Sequence, residues 1–124
     1  GRLTLVTEAM ASLGMPPGRY ALGDHEVIVD ETTAQLPSGT LAGSLLSMDT
    51  AVRNLINFTG CTLADALPTV TSTPAHLIGL PHKGRIAPNC DADLLLLTPD
   101  FQVHTTFVSG QIVYQKEVST DYTD

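Results

Sequence analysis

The 124-residue sequence predicts an α/β fold in which two β regions flank a helical middle. The apolar run Leu3–Val6 is continuous rather than alternating, which indicates a strand buried on both faces, as in a parallel sheet or barrel. Helical periodicity follows over Met48–Phe58, and strand-like segments return from Leu94 onward. The first strand has no obvious partner elsewhere in the chain. We therefore expect the chain to be part of a larger structure whose upstream portion is missing.

The first β region consists of short segments separated by turns. Tyr20–Leu22 and Glu26–Asp30 are predicted strands, and the second alternates so that its valines share one face. Ala34–Leu36 is predicted to pair back as a hairpin after a polar turn. Residues 37–44, PSGTLAGS, predict a glycine-rich loop.

The helical middle carries recognisable start and stop signals. Ser47 can cap a helix over Met48–Phe58, and Gly60 ends it. Thr62 and Asp65 have the spacing of a capping box and predict the start of a second helix.

The second helix cannot continue past Pro68, which lacks the backbone donor that a helix interior needs. A third short helix is predicted with Thr73 as its N-cap and Ile78 as its last residue. Three strands then complete the chain, over Leu94–Leu97, Val103–Val108 and Gln111–Gln115, and the last two are joined by a Ser-Gly hairpin turn.

Composition limits the classes of partner. The chain is 43% hydrophobic and 15% charged, so we expect most of it to be buried and packed against something else. A net charge of −7 argues against nucleic acid and anionic membranes as partners. The sequence has no apolar run near the ~20 residues that span a bilayer and no secretory signal at its start. Cys61 and Cys90 are read as reduced thiols, which favours a cytoplasmic protein.

The segment LVTEAM, residues 5–10, places Glu8 directly after the predicted buried strand, where barrel enzymes carry catalytic groups. It resembles the end of the last barrel strand in N-acetylglucosamine-6-phosphate deacetylases of the amidohydrolase superfamily. Aspartate stands in that family where this chain has Glu8. The resemblance implies that Glu8 is the catalytic general base and acid, accepting a proton from metal-bound water and donating it to the departing amine. By itself, a lone carboxylate at a strand end is more often only solvated.

Two further segments carry the same resemblance. TLAGS, residues 40–44, and MDTAVRNL, residues 48–55, are similar to a stretch of these deacetylases whose loop backbone contacts the sugar phosphate. The resemblance implies substrate-binding roles for Leu41, Ala42, Gly43 and Ser44. Glycine suits such contact because backbone without a Cβ can approach a ligand closely.

The third block, residues 83–101, resembles the place where many amidohydrolase chains leave the barrel for a small β-sandwich. Asn89 stands where glycine is usual, and asparagine tolerates a left-handed backbone. We read Asp91 and Asp93 as a solvated turn. The resemblance implies a metal-dependent-hydrolase (β/α)₈ TIM barrel portion over residues 1–80 (the last strand, a β-hairpin insertion and the following helices). Residues 81–116 would be strands of the composite β-sandwich, and residues 117–124 a polar tail.

Metal ligands are not expected in this chain. His25, His76, His82 and His104 are scattered without metal-binding spacing. In the family the divalent metal, zinc or a similar ion, is held by a glutamate and two histidines from earlier barrel strands. We also read Arg53 as a helix-surface charge rather than a phosphate ligand.

The parent enzyme would hydrolyse N-acetylglucosamine 6-phosphate to glucosamine 6-phosphate and acetate, and we expect the chain alone to be inactive. A barrel needs about 250 residues, so we predict docking with a missing N-terminal half or self-association. Two alternatives stay open: another amidohydrolase, dihydroorotase-like or imidazolonepropionase-like, and a non-catalytic interaction domain left from a truncated gene.

Overall fold

The computed structural model describes residues 2–117, which separate into two compact units. The first unit comprises residues 5–59, and the second comprises residues 60–117 together with residues 2–4. All of the predicted polar tail except Glu117 lies outside the described residues. The predicted division at residues 80 and 81, between a barrel portion and a β-sandwich portion, stays a prediction.

The first unit contains a four-stranded antiparallel sheet. Its strands, in the order in which they pair, are β1 (Gly18–Leu22), β2 (His25–Val29), β3 (Ala34–Gln35) and β4 (Leu41–Gly43). A two-residue turn joins β1 to β2, with Gly23 at a φ of 56° that glycine adopts without strain. The predicted strands and hairpin of this region are confirmed.

A small apolar core holds this sheet together. Val27, Val29 and Ala34 are buried, and the two valines share one face of β2 because side chains alternate along a strand. The partly buried residues packed around this core are Met10, Tyr20, Leu36, Ala42 and Leu45. Met10 and Ala42 therefore connect this core to the two chain segments that contain them, residues 5–10 and residues 40–44.

The first unit ends with helix α1 (Met48–Thr59), which confirms the helix predicted from periodicity. Ala51 and Val52 form its buried face. Arg53 Nη1 donates to Asp49 Oδ2 at 2.8 Å, a pairing across one helical turn between two side chains that are about three-quarters buried.

In the second unit, α2 (Leu63–Ala66) begins with the predicted capping box between Thr62 and Asp65. Pro68 lies in the 3₁₀ turn Leu67–Thr69 that follows, so the chain leaves the helix where the proline predicted. Helix α3 (Ser72–Leu77) has Thr71 as its N-cap. The prediction of Thr73 as the cap was two residues late, because proline also fits inside the first helical turn, where backbone N–H groups have no helical partner.

The second unit also contains a three-stranded antiparallel sheet. Strands β5 (Leu94–Leu97), β6 (Val103–Val108) and β7 (Gln111–Gln115) pair in that order and confirm the predicted strands. The turn between β6 and β7 uses Ser109 and Gly110 at φ values of 51° and 78°. Asn89 has a φ of 63°, which confirms the left-handed backbone expected for it.

The predicted strand Leu3–Val6 was wrong: these residues form no strand within the described chain, and Val6 is 76% exposed. A strand exists only when a neighbour accepts and donates its backbone hydrogen bonds, and an apolar run does not supply one. The glycine-rich loop prediction was also wrong at Leu41–Gly43, where β4 pairs with β3. Two short strands can pair whenever a turn brings them together, even when their sequence is rich in glycine.

The described residues do not bury most of their large apolar side chains by themselves, and their packing against another surface stays a prediction. Among the large apolar side chains, Leu95 and Leu96 in β5 are 56% and 53% exposed, and Ile112 and Val113 in β7 are 55% and 60% exposed. Consecutive strand residues point to opposite faces, so this sheet exposes apolar surface on both faces. No helix in the described part of the chain is long and apolar enough to span a membrane.

Candidate functional site

Glu8 has a left-handed backbone, with a φ of 51°, and its side chain is exposed. A residue with a Cβ pays roughly 1–2 kcal/mol for this conformation. Neighbouring contacts must hold such a residue in place, and positions of this kind concentrate at functional sites. The Ala9 N–H donates to Thr7 Oγ1 at 3.2 Å on the other side of Glu8, which adds a local turn to the constraint.

A pair of backbone hydrogen bonds joins the Glu8 segment to the end of β4. The Ser44 N–H donates to the Glu8 carbonyl at 3.0 Å, and the Met10 N–H donates to the Ser44 carbonyl at 2.9 Å. Together they form an isolated parallel bridge centred on Ala9 and Ser44. The structure thus brings the predicted catalytic residue beside the predicted substrate-binding segment.

Gly43 allows the two segments to approach. A Cβ at Gly43 would lie 2.5 Å from Met10 Cγ, 3.0 Å from Met10 Sδ and 3.5 Å from the Glu8 carbonyl oxygen. The first of these distances is far inside van der Waals contact. Any side chain at Gly43 would therefore displace Met10 or the bridge itself.

The other candidate substrate-binding residues lie in β4 or directly after it. Ala42 packs against the core of the first unit, whereas Leu41 is 69% exposed. Ser44 Oγ accepts the Leu46 N–H at 2.8 Å, a bond that does not use the hydroxyl hydrogen. Of the four predicted residues, Gly43 and Ser44 meet the Glu8 segment directly. Their role in substrate binding, like the role of Glu8, stays a prediction.

The start of α1 follows this segment closely and carries the acidic side chain of Asp49. Burial alone would raise the pKa of Asp49, but hydrogen bonds from Ser47 and Arg53, with the positive charge of Arg53, outweigh it and lower that pKa. Arg53 also donates to Thr50 Oγ1 at 2.6 Å. These contacts hold Arg53 on its own helix, and the prediction that it is not a phosphate ligand stays a prediction.

Asp91 and Asp93 are exposed, as the sequence predicts, and they also take part in ion pairs that it does not predict. Both carboxylates pair with Lys83 Nζ, at 2.8 Å for Asp91, and Asp93 Oδ1 also accepts the Ser109 N–H at 2.9 Å. Hydrogen bonds to Asp91 and Asp93 raise the pKa of Lys83. The bonds from Lys83 and from Ser109 lower the pKa of Asp93. These residues form a clamp that ties the loop before β5 to the β6–β7 turn.

Metal-binding side chains do not converge within residues 2–117: no group of three His, Cys, Asp or Glu residues there could hold an ion. His25 lies in β2, His76 in α3 and His104 in β6, where its Nδ1 is 2.8 Å from Thr105 Oγ1. His82 lies in the loop after α3, and its carbonyl accepts the Asp91 N–H at 2.8 Å. The described residues thus do not fit a metal site of their own.

Met10 was not among the site residues predicted from the sequence. It stands in the motif that carried the resemblance, but its contact with Gly43 joins residues that are distant along the chain. The available signal was a glycine in a segment that forms a strand, because such glycines mark a close approach by another part of the backbone.

Comparisons with known proteins agree with the resemblance. The sequence profile of the amidohydrolase family matches residues 19–113. The N-acetylglucosamine-6-phosphate deacetylase of Bos taurus is 42% identical over 117 residues, which are 93% of this chain and 29% of that protein. The putative N-acetylgalactosamine-6-phosphate deacetylase of Escherichia coli (strain K12) is 38% identical over 90% of this chain and 67% of that protein.

A solved structure is similar as well. The crystal structure of N-acetylglucosamine-6-phosphate deacetylase from Thermotoga maritima superposes with a TM-score of 0.84 at 36% identity, covering 92% of this chain and 31% of that one. The chain spans about 29% of the length of most of the curated relatives it matches.

Proposed function

This chain belongs to the amidohydrolase family, and we propose that it supplies one part of an N-acetylglucosamine-6-phosphate deacetylase. The complete enzyme would hydrolyse the acetamide of N-acetylglucosamine 6-phosphate to glucosamine 6-phosphate and acetate. The observation that carries this proposal is the parallel bridge between Ala9 and Ser44, in which the Ser44 N–H donates to the Glu8 carbonyl. It holds an exposed carboxylate, on a left-handed backbone, beside a segment suited to backbone contact with a substrate.

Glu8 is the proposed proton-transfer group. As the oxygen of water bonds to the acetyl carbon, Glu8 takes the proton of that water. It returns the proton to the sugar nitrogen as the C–N bond breaks, which leaves the free amine and acetic acid. The acid then loses its proton to solvent and becomes acetate. Its exposed position gives the carboxylate access to a substrate in solution. Positioned groups of this kind contribute about 10²–10⁴-fold to rate.

The divalent cation that the family implies would need ligands from residues outside this chain. The described residues offer no group of three converging ligands for such an ion. The chain would contribute the proton shuttle and one wall of the substrate site, formed by Leu41, Ala42, Gly43 and Ser44.

We also propose that the chain is completed by further polypeptide, as the last part of a (β/α)₈ barrel and strands of a composite β-sandwich. The sheet β5–β7 supports this proposal because it exposes Leu95, Leu96, Ile112 and Val113 on two faces. Full burial of one such side chain contributes about 1.5–3 kcal/mol. Covering both faces would therefore be strongly favourable. We place the assembled enzyme in the cytoplasm.

The test is to assay the chain together with the upstream part of the protein from its own gene. We expect release of glucosamine 6-phosphate by the wild-type assembly and a loss of about 10²–10⁴-fold in kcat for Glu8→Gln, which keeps the shape but cannot take a proton. Glu8→Asp should retain most of the activity. Full activity of Glu8→Gln would refute the role of Glu8.

A second substrate is favoured by the Escherichia coli relative, which is named for N-acetylgalactosamine 6-phosphate. The two sugars differ in the orientation of one hydroxyl group, so a single assay series with both separates the candidates. Faster turnover of the galactosamine derivative would reassign the substrate and leave the reaction class unchanged.

A further inference from the structure

We propose that Met10 is a positioning residue, which fixes the Glu8 backbone relative to Ser44 by packing between Gly43 and the core of the first unit. This inference rests on the proposed function. It concerns a residue that contacts neither the reacting atoms nor, in the proposal above, the substrate.

Met10 is held at both its backbone and its side chain. Its N–H donates to the Ser44 carbonyl at 2.9 Å, and its carbonyl accepts the Leu13 N–H at 3.0 Å. Its side chain packs against the core formed by Val27, Val29 and Ala34. Met10 therefore connects the bridge to the most deeply buried part of its unit.

The contact with Gly43 makes this placement specific. The space that a Cβ would take at Gly43 is occupied by Met10 Cγ and Sδ. The side chain of Met10 thus lies against the backbone of the residue that precedes Ser44. Because the Ser44 N–H donates to the Glu8 carbonyl, a shift of Met10 would move Gly43 and the adjacent Ser44, and with them Glu8.

The strain at Glu8 gives the contact its importance. A φ of 51° is unfavourable for glutamate, so this residue would relax toward an ordinary conformation if the bridge opened. Relaxation would swing the carboxylate away from its present position. A displacement of 1 Å at a reacting group can cost about 100-fold in rate.

The experiment compares Met10→Ala, Met10→Leu and the matched control Met15→Ala, made in the full protein that contains this chain. Met15 undergoes the same chemical change but is 53% exposed. We expect Met10→Ala to lower kcat for N-acetylglucosamine 6-phosphate about 10- to 100-fold with little change in KM. Leucine conserves volume and should restore most of kcat, whereas Met15→Ala should match the wild type.

A second measurement needs no substrate. Amide hydrogen exchange at Ser44 should accelerate at least about tenfold in Met10→Ala and not in Met15→Ala, because the Ser44 N–H is the donor to Glu8. Unchanged exchange at Ser44 in Met10→Ala would overturn the inference. Inactivity of the wild-type protein, with the exchange result as expected, would refute the proposed function and leave the bridge intact.

Discussion

Gly84 offers a sharp test of the second unit because its close neighbours are backbone atoms. A Cβ placed there would lie 2.5 Å from both the carbonyl carbon and the carbonyl oxygen of Thr71, and 2.8 Å from the nitrogen of Ser72. These atoms belong to the beginning of α3, so no side-chain rotation can relieve the overlap. Gly84 also has a φ of 76°. Substitution by alanine must therefore move the loop, the helix or both.

The expected cost has two components. A left-handed backbone costs alanine roughly 1–2 kcal/mol, and forcing an extra carbon into packed surroundings costs about 1–3 kcal/mol. Gly84→Ala should thus lower the free energy of unfolding by about 2–5 kcal/mol. Gly79→Ala is the matched control, since Gly79 has a φ of 73° but no atom within 4 Å of its would-be Cβ. That substitution should cost only the backbone component.

The assay is urea unfolding followed by the amide NMR signals of residues 60–117. Signals from one unit are needed because a chain with two compact units need not unfold in a single step. The difference between the two variants isolates the steric component and should be at least about 1 kcal/mol. Equal destabilisation by Gly84→Ala and Gly79→Ala would refute the close approach of Gly84 to α3.

Three smaller predictions concern side chains at turns. Hydrogen bonds from the Thr32 backbone, and then from Thr33, lower the pKa of Asp30 to about 2. The ionised carboxylate therefore contributes its full share to the free energy of unfolding above about pH 4, and this share is lost as the pH falls through 2. Asp30→Asn should make the free energy of unfolding depend less on pH over that range. Lys83→Met should raise the pKa of Asp93, measured by carboxyl NMR, because the principal donor to Asp93 is gone; an unchanged pKa would contradict the ion pair. Thr62→Ala removes the capping box of α2 and should cost about 1 kcal/mol in urea unfolding, a loss that Thr62→Ser should largely avoid.

The elements that could be predicted from the sequence are those whose signals are local. Strand β2 follows from the alternation that places Val27 and Val29 on one face, and α1 follows from its periodicity and the glycine after it. The capping box of α2 depends only on Thr62 and Asp65, which are three residues apart. In each case the residues that determine the structure are close together in the chain.

The features that could not be predicted depend on contacts between distant residues. Leu3–Val6 was read as a strand because it is apolar, but strand formation requires a pairing partner that the described residues do not provide. The clamp at Lys83 needs the β6–β7 turn to deliver the Ser109 N–H to Asp93. Neither pairing leaves a pattern in the local sequence.

The candidate site combines residues that could be predicted from the sequence with contacts that could not. These contacts bear on the presence of glutamate, rather than the aspartate of the resembling family, at position 8. Glu8 and Ser44 were identified by resemblance, whereas the backbone bonds that join them became visible only in the structure. Because the bridge and the contact of Met10 with Gly43 hold the backbone, a shift of the main chain cannot absorb the extra methylene of glutamate. The glutamate side chain must instead adopt a different rotamer to bring its carboxylate to the position that an aspartate carboxylate would occupy. This costs of order 0.5–1.5 kcal/mol if a χ angle leaves its staggered well. A fixed backbone and an adaptable side chain are therefore compatible with the proton transfer proposed for Glu8.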